Sequence, residues 1–274
     1  GILNCNGKVN KKTVKSILSE AEKLKINMID TAINYGNSEN VLGEAGINNF
    51  EVITKLPPFE RDSLEASKYT VSHIESSMLR LGVNQIYCVL MHRSDDLLNC
   101  NGQNILKSLN RLKSDGVISK LGVSIYSPVE LEELIAKGIY FDVVQAPFNI
   151  FDRRMQSSKW FEKLKDMGVE IHIRSIFLQG LLLATRDRIP ISLSKWKTHF
   201  DYWNNWVETN GLSRLEACIN FVCSIQEIDK IVVGIESLEQ FKAISLSFSQ
   251  TSRLIPPKEL IIDDLNLIDP RLWR

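Results

Sequence analysis

Most of the features that would set a function by composition are missing from this sequence. No run approaches the ~18 apolar residues of a membrane-spanning helix, and the N-terminus shows no charged-then-apolar secretion pattern. An excess of either charge is lacking too. Thirty-three basic residues face 33 acidic ones, so no overall positive field exists to hold a nucleic-acid backbone or an anionic membrane surface. Cysteine is scarce and unpatterned: Cys5, Cys88, Cys100, Cys218 and Cys223 form no C-x-x-C pair and no metal-ligand spacing. A reduced cytoplasmic protein is expected, with no metal, no nucleic acid and no membrane among its partners. A small anionic cofactor stays open, because a local pocket of donors binds phosphate without any net charge. Neither G-x-G-x-x-G after a strand nor G-x-x-x-x-G-K-[ST] occurs, which argues against an open dinucleotide-binding sheet and a P-loop.

What is present is a long globular pattern. The 274 residues are 44% hydrophobic and 24% charged, enough for a large core, and no internal stretch reads as a linker. One domain over residues 1–274 is expected. Short β-branched runs recur at 26–32, 50–56, 86–92, 120–126, 142–148, 170–176 and 229–235, and read as buried parallel strands. Between them, apolar residues return every three or four positions, as in Val14, Ile17, Leu18, Ala21 and Leu24, the mark of an amphipathic helix. Asp62 with Glu65, and Ser127-Pro128 with Glu130, look like helix starts; Gly138 and Gly168 look like stops.

Strands alternating with helices imply a parallel α/β fold, and the missing phosphate signatures favour a closed (β/α)8 TIM barrel. A barrel needs eight strands and seven are visible. The first is expected either to precede Gly1 or to be supplied weakly by the first ten residues. About 53 residues separate Ile176 from Asp229 and hold Trp196, Trp203 and Trp206. An insertion at about 183–210 is expected there, after the sixth visible strand (the seventh of the barrel), either walling a pocket on the catalytic face or burying its tryptophans in a peripheral helix.

The titratable residues fall where such a barrel would gather them. Asp30 ends the first visible strand with Tyr35 just past it, Lys55 closes the second and His92 the third; all four would emerge on one rim. Tyrosine is a weak acid at neutral pH, and a neighbouring ammonium could make it a better one. On this reading Lys55 tunes Tyr35, Asp30 holds Lys55, and His92 orients a carbonyl oxygen. Singly, each residue has a bland structural explanation; their joint placement points to proton transfer.

The segment 29–45, IDTAINYGNSENVLGEA, resembles the aldo-keto reductase motif of an aspartate and a tyrosine around a D-T-A-x-x-Y-G turn followed by S-E-x-x-L-G. ITKL (53–56) and VLMH (89–92) resemble the family's lysine and histidine strands. Likeness continues through 121–134, 143–154, 177–182, 231–241 and 268–273, the last similar to the tail of one bacterial branch. The resemblance implies an oxidoreductase moving hydride between NADP or NAD and a small aldehyde or ketone, with Tyr35 as general acid and Asp30, Lys55 and His92 around it. It implies that Ser124 and Gln145 hold the nicotinamide carboxamide, although Ile125 stands where the family has an asparagine. Arg174 stands where the family stacks a tyrosine on the nicotinamide, and a guanidinium can also lie flat on an aromatic ring. Gly234, Glu236, Ser237 and Gln240 would meet the adenosine end. Glu236 would repel a 2'-phosphate and accept from a free ribose hydroxyl, so relaxed or NAD-leaning selectivity is expected. His172 reads as a core or lumen histidine, and Arg153-Arg154 as solvent-facing by default. Two other functions compete: a nicotinamide-binding regulatory barrel without turnover, and a Schiff-base lyase using Lys55. The substrate and the oligomeric state are not specified by the sequence.

Overall fold

The computed structural model describes residues 10–59, 65–250 and 255–273. All seven expected strands form: β1 (Met28–Asp30), β2 (Glu51–Leu56), β3 (Ile86–Met91), β4 (Ile118–Ser124), β5 (Val143–Pro147), β6 (Glu170–Arg174) and β7 (Lys230–Ile231). They pair in chain order, and every pairing is parallel. Helices lie between them, as right-handed crossovers of parallel strands require. The edge strands are shorter than their apolar runs. Residues 232–235 pair with no second neighbour among the described residues, so the ladder that would lengthen β7 has no partner on that side.

Although β1 and β7 do not pair, the sheet is strongly curled. Gln145 on β5 donates to Asp30 on β1 at 2.7 Å, and Lys120 on β4 reaches Glu170 on β6. Contacts between strands that are not neighbours need a concave face that closes on itself. Ile53, Cys88, Leu90 and Val143 form their own small buried cluster, and alternate residues of a strand share a face. Lys55, His92 and Gln145 follow these residues at even spacing, and so stand on the same concave side. The helices also close the ring: Lys11–Lys23 packs on Leu238–Ser249, with Ala21, Ile47, Leu81 and Phe241 in one cluster. The architecture is that of the (β/α)8 barrel, with seven strands among the described residues.

The helix signals are realised where they can be seen. Ser127 accepts from Val129 N–H, and Glu130 reaches back to the Ser127 N–H at 2.8 Å, giving the capping box of Pro128–Ala136. Gly138 ends that turn at φ +68°. Helix Ala66–Leu81 forms as well; Asp62 lies outside the described residues.

The long connection after β6 runs through short 3-10 turns into helices Lys197–Thr209 and Arg214–Cys223. Its tryptophans are used for packing. Trp203 is buried, donates Nε1–H to the Leu182 carbonyl at 3.1 Å and stacks on Trp206 at 5.8 Å, while Trp196 is buried beside Leu193. Arg153 is not solvent-facing as expected. It is buried, donates to the carbonyls of Ile150, Pro256 and Pro257, and lies on the Phe221 ring at 4.6 Å. Three carbonyls and a ring replace its water, tying residues 256–257 to the barrel.

The S-E-x-x-L-G stretch has a structural role. Glu39 is 3% exposed and accepts from Thr54 at 2.6 Å, from Arg80 Nε at 2.7 Å and from Ser77. It thereby fixes helix Ser38–Ala45 to β2 and to Ala66–Leu81. Gly43 allows the helices to touch: a Cβ there would fall on the carbonyl oxygen of Arg80. Gly43→Ala is expected to lose about 1–3 kcal/mol through overpacking, and Glu39→Ala about the same by leaving buried hydroxyls unpaired. Chemical denaturation checks both; unchanged midpoints would show that the helix pair is not fixed this way.

Candidate active site

The turn after β1 delivers Tyr35. Its N–H donates to the Ala32 carbonyl at 3.0 Å, its carbonyl accepts from Ser38 N–H at 3.1 Å, and Gly36 takes φ +59°, a conformation that favours glycine. Tyr35 is half exposed (49%), whereas Lys55 beneath it is 1% exposed. The Lys55 ammonium forms an ion pair with Asp30 and donates to the Thr31 carbonyl at 2.9 Å, and it lies 5.1 Å from the centre of the Tyr35 ring. His92, held by its N–H on the Leu56 carbonyl at 3.2 Å, meets Tyr35 edge-on with ring centres 5.9 Å apart. The four residues chosen from sequence therefore converge on one mouth at the C-terminal strand ends.

The electrostatics of the site are set first by burial. Burial, reinforced by the Asp30 carboxylate, pushes the Tyr35 hydroxyl up to about 12, so Tyr35 keeps its proton firmly. The opposing pull comes from Arg174. Lys55 itself is lowered by burial, against the pull of Asp30. His92 is lowered by burial and then by the charges of Lys55 and Arg174, so its ring is neutral at pH 7. Its Nδ1 is buried without a partner. A lysine so enclosed, with two of its three N–H bonds committed, is poorly placed to attack a carbonyl, which disfavours imine chemistry.

The residues expected at the cofactor are distributed more unevenly. Ser124 and Gln145 are aligned neighbours on β4 and β5. Gln145 spends one amide N–H on Asp30, a role invisible from sequence, and among the described residues its Oε1 and the Ser124 hydroxyl have no protein partner. That donor and acceptor set fits a carboxamide; the buried side chain of Ile125 adds nothing to it. Arg174 donates to the Ile125 carbonyl at 2.9 Å and lies over Tyr126, 4.2 Å from the ring centre. Gly234 is exposed and its neighbourhood open. Ser237 caps helix Leu238–Ser249 through Gln240 N–H at 3.1 Å, Gln240 Oε1 accepts from Glu236 N–H at 2.9 Å, and the Glu236 side chain is exposed. Sequence reasoning missed Tyr126 and Arg271, whose guanidinium lies 3.6 Å from the Tyr126 ring centre. Arg271 was visible only as part of a tail motif, and nothing in its spacing predicts a partner 145 positions away.

Comparisons with known proteins identify the family. Residues 1–252 match the model of the Aldo/keto reductase family. An aldo-keto reductase of Mycobacterium sp. (strain KMS) is 32% identical over 234 residues, covering 83% of this chain and 81% of that protein. The NADH-specific methylglyoxal reductase of Escherichia coli (strain K12) is 26% identical over 247 residues, 80% of this chain and 74% of the relative. The holo form of an aldo-keto reductase from Bacillus halodurans superposes with a TM-score of 0.72 at 19% identity, over 92% of each chain. With its curled parallel sheet and family match over nearly its whole length, the chain belongs to the aldo/keto reductase family, and it is an NAD(P)H-dependent oxidoreductase of carbonyl compounds.

Proposed function

We propose that the chain reduces a small aldehyde or ketone with Tyr35 as proton donor and His92 as the group that orients the carbonyl oxygen. The observation that carries this reading is the packing of a half-exposed tyrosine against a buried lysine and a neutral histidine, with ring and ammonium 5.1 Å apart. A bound nicotinamide dinucleotide would supply hydride to the carbonyl carbon. Ser124 and Gln145 would hold its carboxamide, and Gly234, Glu236, Ser237 and Gln240 its adenosine end. Tyr35 then gives its proton to the oxygen, which gains charge as the carbon is reduced. The Lys55–Asp30 pair keeps a positive group under the ring, so that the tyrosinate formed meets a cation in a site partly shielded from water. His92, uncharged, can donate to the oxygen without trapping the product as a salt.

The exposed carboxylate of Glu236 supports use of NADH, the cofactor named for the Escherichia coli relative. Free thiols at Cys88, Cys100, Cys218 and Cys223 support a reducing, cytoplasmic setting. Among the described residues no helix is long and apolar enough to cross a membrane.

Tyr35→Phe is expected to lower kcat for methylglyoxal reduction by about 10²–10⁴-fold, the usual contribution of a positioned acid, with NADH binding retained by tryptophan fluorescence. Unchanged turnover would remove Tyr35 from this role. Because the raised hydroxyl stays protonated over the working range, kcat/KM for reduction should show no basic limb below about pH 10; a limb near neutrality would assign the proton to another group. Glu236→Arg should raise kcat/KM with NADPH severalfold relative to NADH, a surface-charge effect of ordinary size. A wild-type preference for NADPH, unaltered in the variant, would refute the selectivity reading.

A further inference from the structure

Arg174 ends β6 at the mouth that holds Tyr35, Lys55 and His92, and its charge is felt by all three. What sets it apart is the absence of a counter-charge. Lys55 is matched by Asp30, Arg154 by Asp152 at 2.8 Å, and Arg271 by Asp269 at 2.6 Å. Among the described residues Arg174 pairs with no carboxylate. Its side chain makes two hydrogen bonds, to the Ile125 carbonyl at 2.9 Å and to Ser175 Oγ at 3.3 Å. A guanidinium has five N–H donors in a planar fork, so part of the fork remains unspent. Arg174 thus carries a positive charge that no carboxylate among the described residues bonds; the Glu130 carboxylate is engaged by the N–H groups of Tyr126 and Ser127.

The fork is also held still. Tyr126 supports its flat face at 4.2 Å, and the same ring is packed by Arg271 at 3.6 Å. Tyr126 in turn is fixed through its backbone, with its N–H on Glu130 at 2.8 Å and its carbonyl accepting from Arg154 at 2.9 Å. The backbone of Arg174 is bound on both sides: its carbonyl accepts from Phe148 N–H at 3.1 Å, and the Ser175 carbonyl accepts from Asn149 Nδ2 at 3.2 Å. Ser175 sits at φ +60°, a left-handed conformation that a non-glycine side chain keeps only where its surroundings impose it. Immobilising a charged fork beside reactive groups costs entropy in advance, and a fixed fork recovers that cost when it meets a planar anion.

We propose that Arg174 is a specificity-determining residue, and that the enzyme's substrates are short carbonyl compounds carrying an anionic group, carboxylate or phosphate, two or three carbons from the C=O. The inference rests on the placement of the reacting carbonyl near Tyr35 given above. A neutral aldehyde would leave the Arg174 charge unanswered; an anionic one answers it and is steered by it. The competing role for the same side chain is the one the family resemblance implies, packing on the nicotinamide ring of the cofactor.

The test compares kcat/KM at saturating NADH for two pairs, succinic semialdehyde against butanal and glyceraldehyde 3-phosphate against glyceraldehyde, in wild type, Arg174→Gln and Arg174→Lys. The wild type should favour the anionic member of at least one pair by about tenfold or more, the scale of one charge-assisted contact. The pair that responds tells carboxylate from phosphate. In Arg174→Gln that ratio should collapse toward unity, and Arg174→Lys should restore part of it. An equal ratio in wild type and Arg174→Gln overturns the proposal. So does a parallel loss on both members with a raised KM for NADH, which would place Arg174 at the cofactor. If no carbonyl in the panel is reduced, the catalytic reading fails, and Arg174 is tested separately by calorimetric titration of succinate and of inorganic phosphate onto the NAD+-loaded protein. Binding that disappears in Arg174→Gln supports the anion site; no binding to wild type overturns it.

Discussion

The site is organised around the ion pair between Lys55 and Asp30. A lysine at 1% exposure pays a desolvation cost that only a close carboxylate and further hydrogen bonds can offset. Asp30 and the Thr31 carbonyl supply both, and each belongs to the turn that presents Tyr35. Burying the ammonium therefore places the tyrosine: the chain must descend to meet Lys55 before it can rise into Y-G. Gln145, crossing from β5, takes the second oxygen of Asp30. The same carboxylate thus joins β1, β2 and β5, and the curl of the sheet and the geometry of the mouth depend on each other.

A second anchor works from outside the sheet. Glu39 binds the helix that follows the tyrosine turn to β2 and to the next helix, and Gly43 lets that helix approach closely. Together they hold both ends of the turn, which leaves Tyr35 half exposed but not free to wander. A chemical motif and a packing motif are interleaved in one stretch, D-T-A-x-x-Y-G-x-S-E-x-x-L-G.

Toward β6 the mouth changes character. On its β1–β3 side Lys55 is neutralised by Asp30, while its β6 side presents a guanidinium that bonds no carboxylate among the described residues and is supported by Tyr126. Arg271 arrives there from the far end of the chain, carrying its own counter-ion. The asymmetry separates a half of the mouth that sets Tyr35 and His92 over a neutralised pair from a half with an unpaired guanidinium.

Strand order, helix starts and the placement of Asp30, Tyr35, Lys55 and His92 at one rim were legible in the sequence because each is a local fact: a period, a cap or a residue at the end of an apolar run. Parallel connectivity then delivers strand ends to one rim whatever the details. Other features depended on closure in three dimensions. The Gln145–Asp30 bond spans 115 positions, and the burial of Arg153 needs carbonyls more than a hundred residues away. The direction of the Tyr35 shift follows from how deeply each charge is enclosed, and enclosure has no one-dimensional signature. The sequence by itself settled which groups stand at the mouth; only the tertiary structure decided which charges are neutralised there, because neutralisation is a matter of distance across a curled sheet.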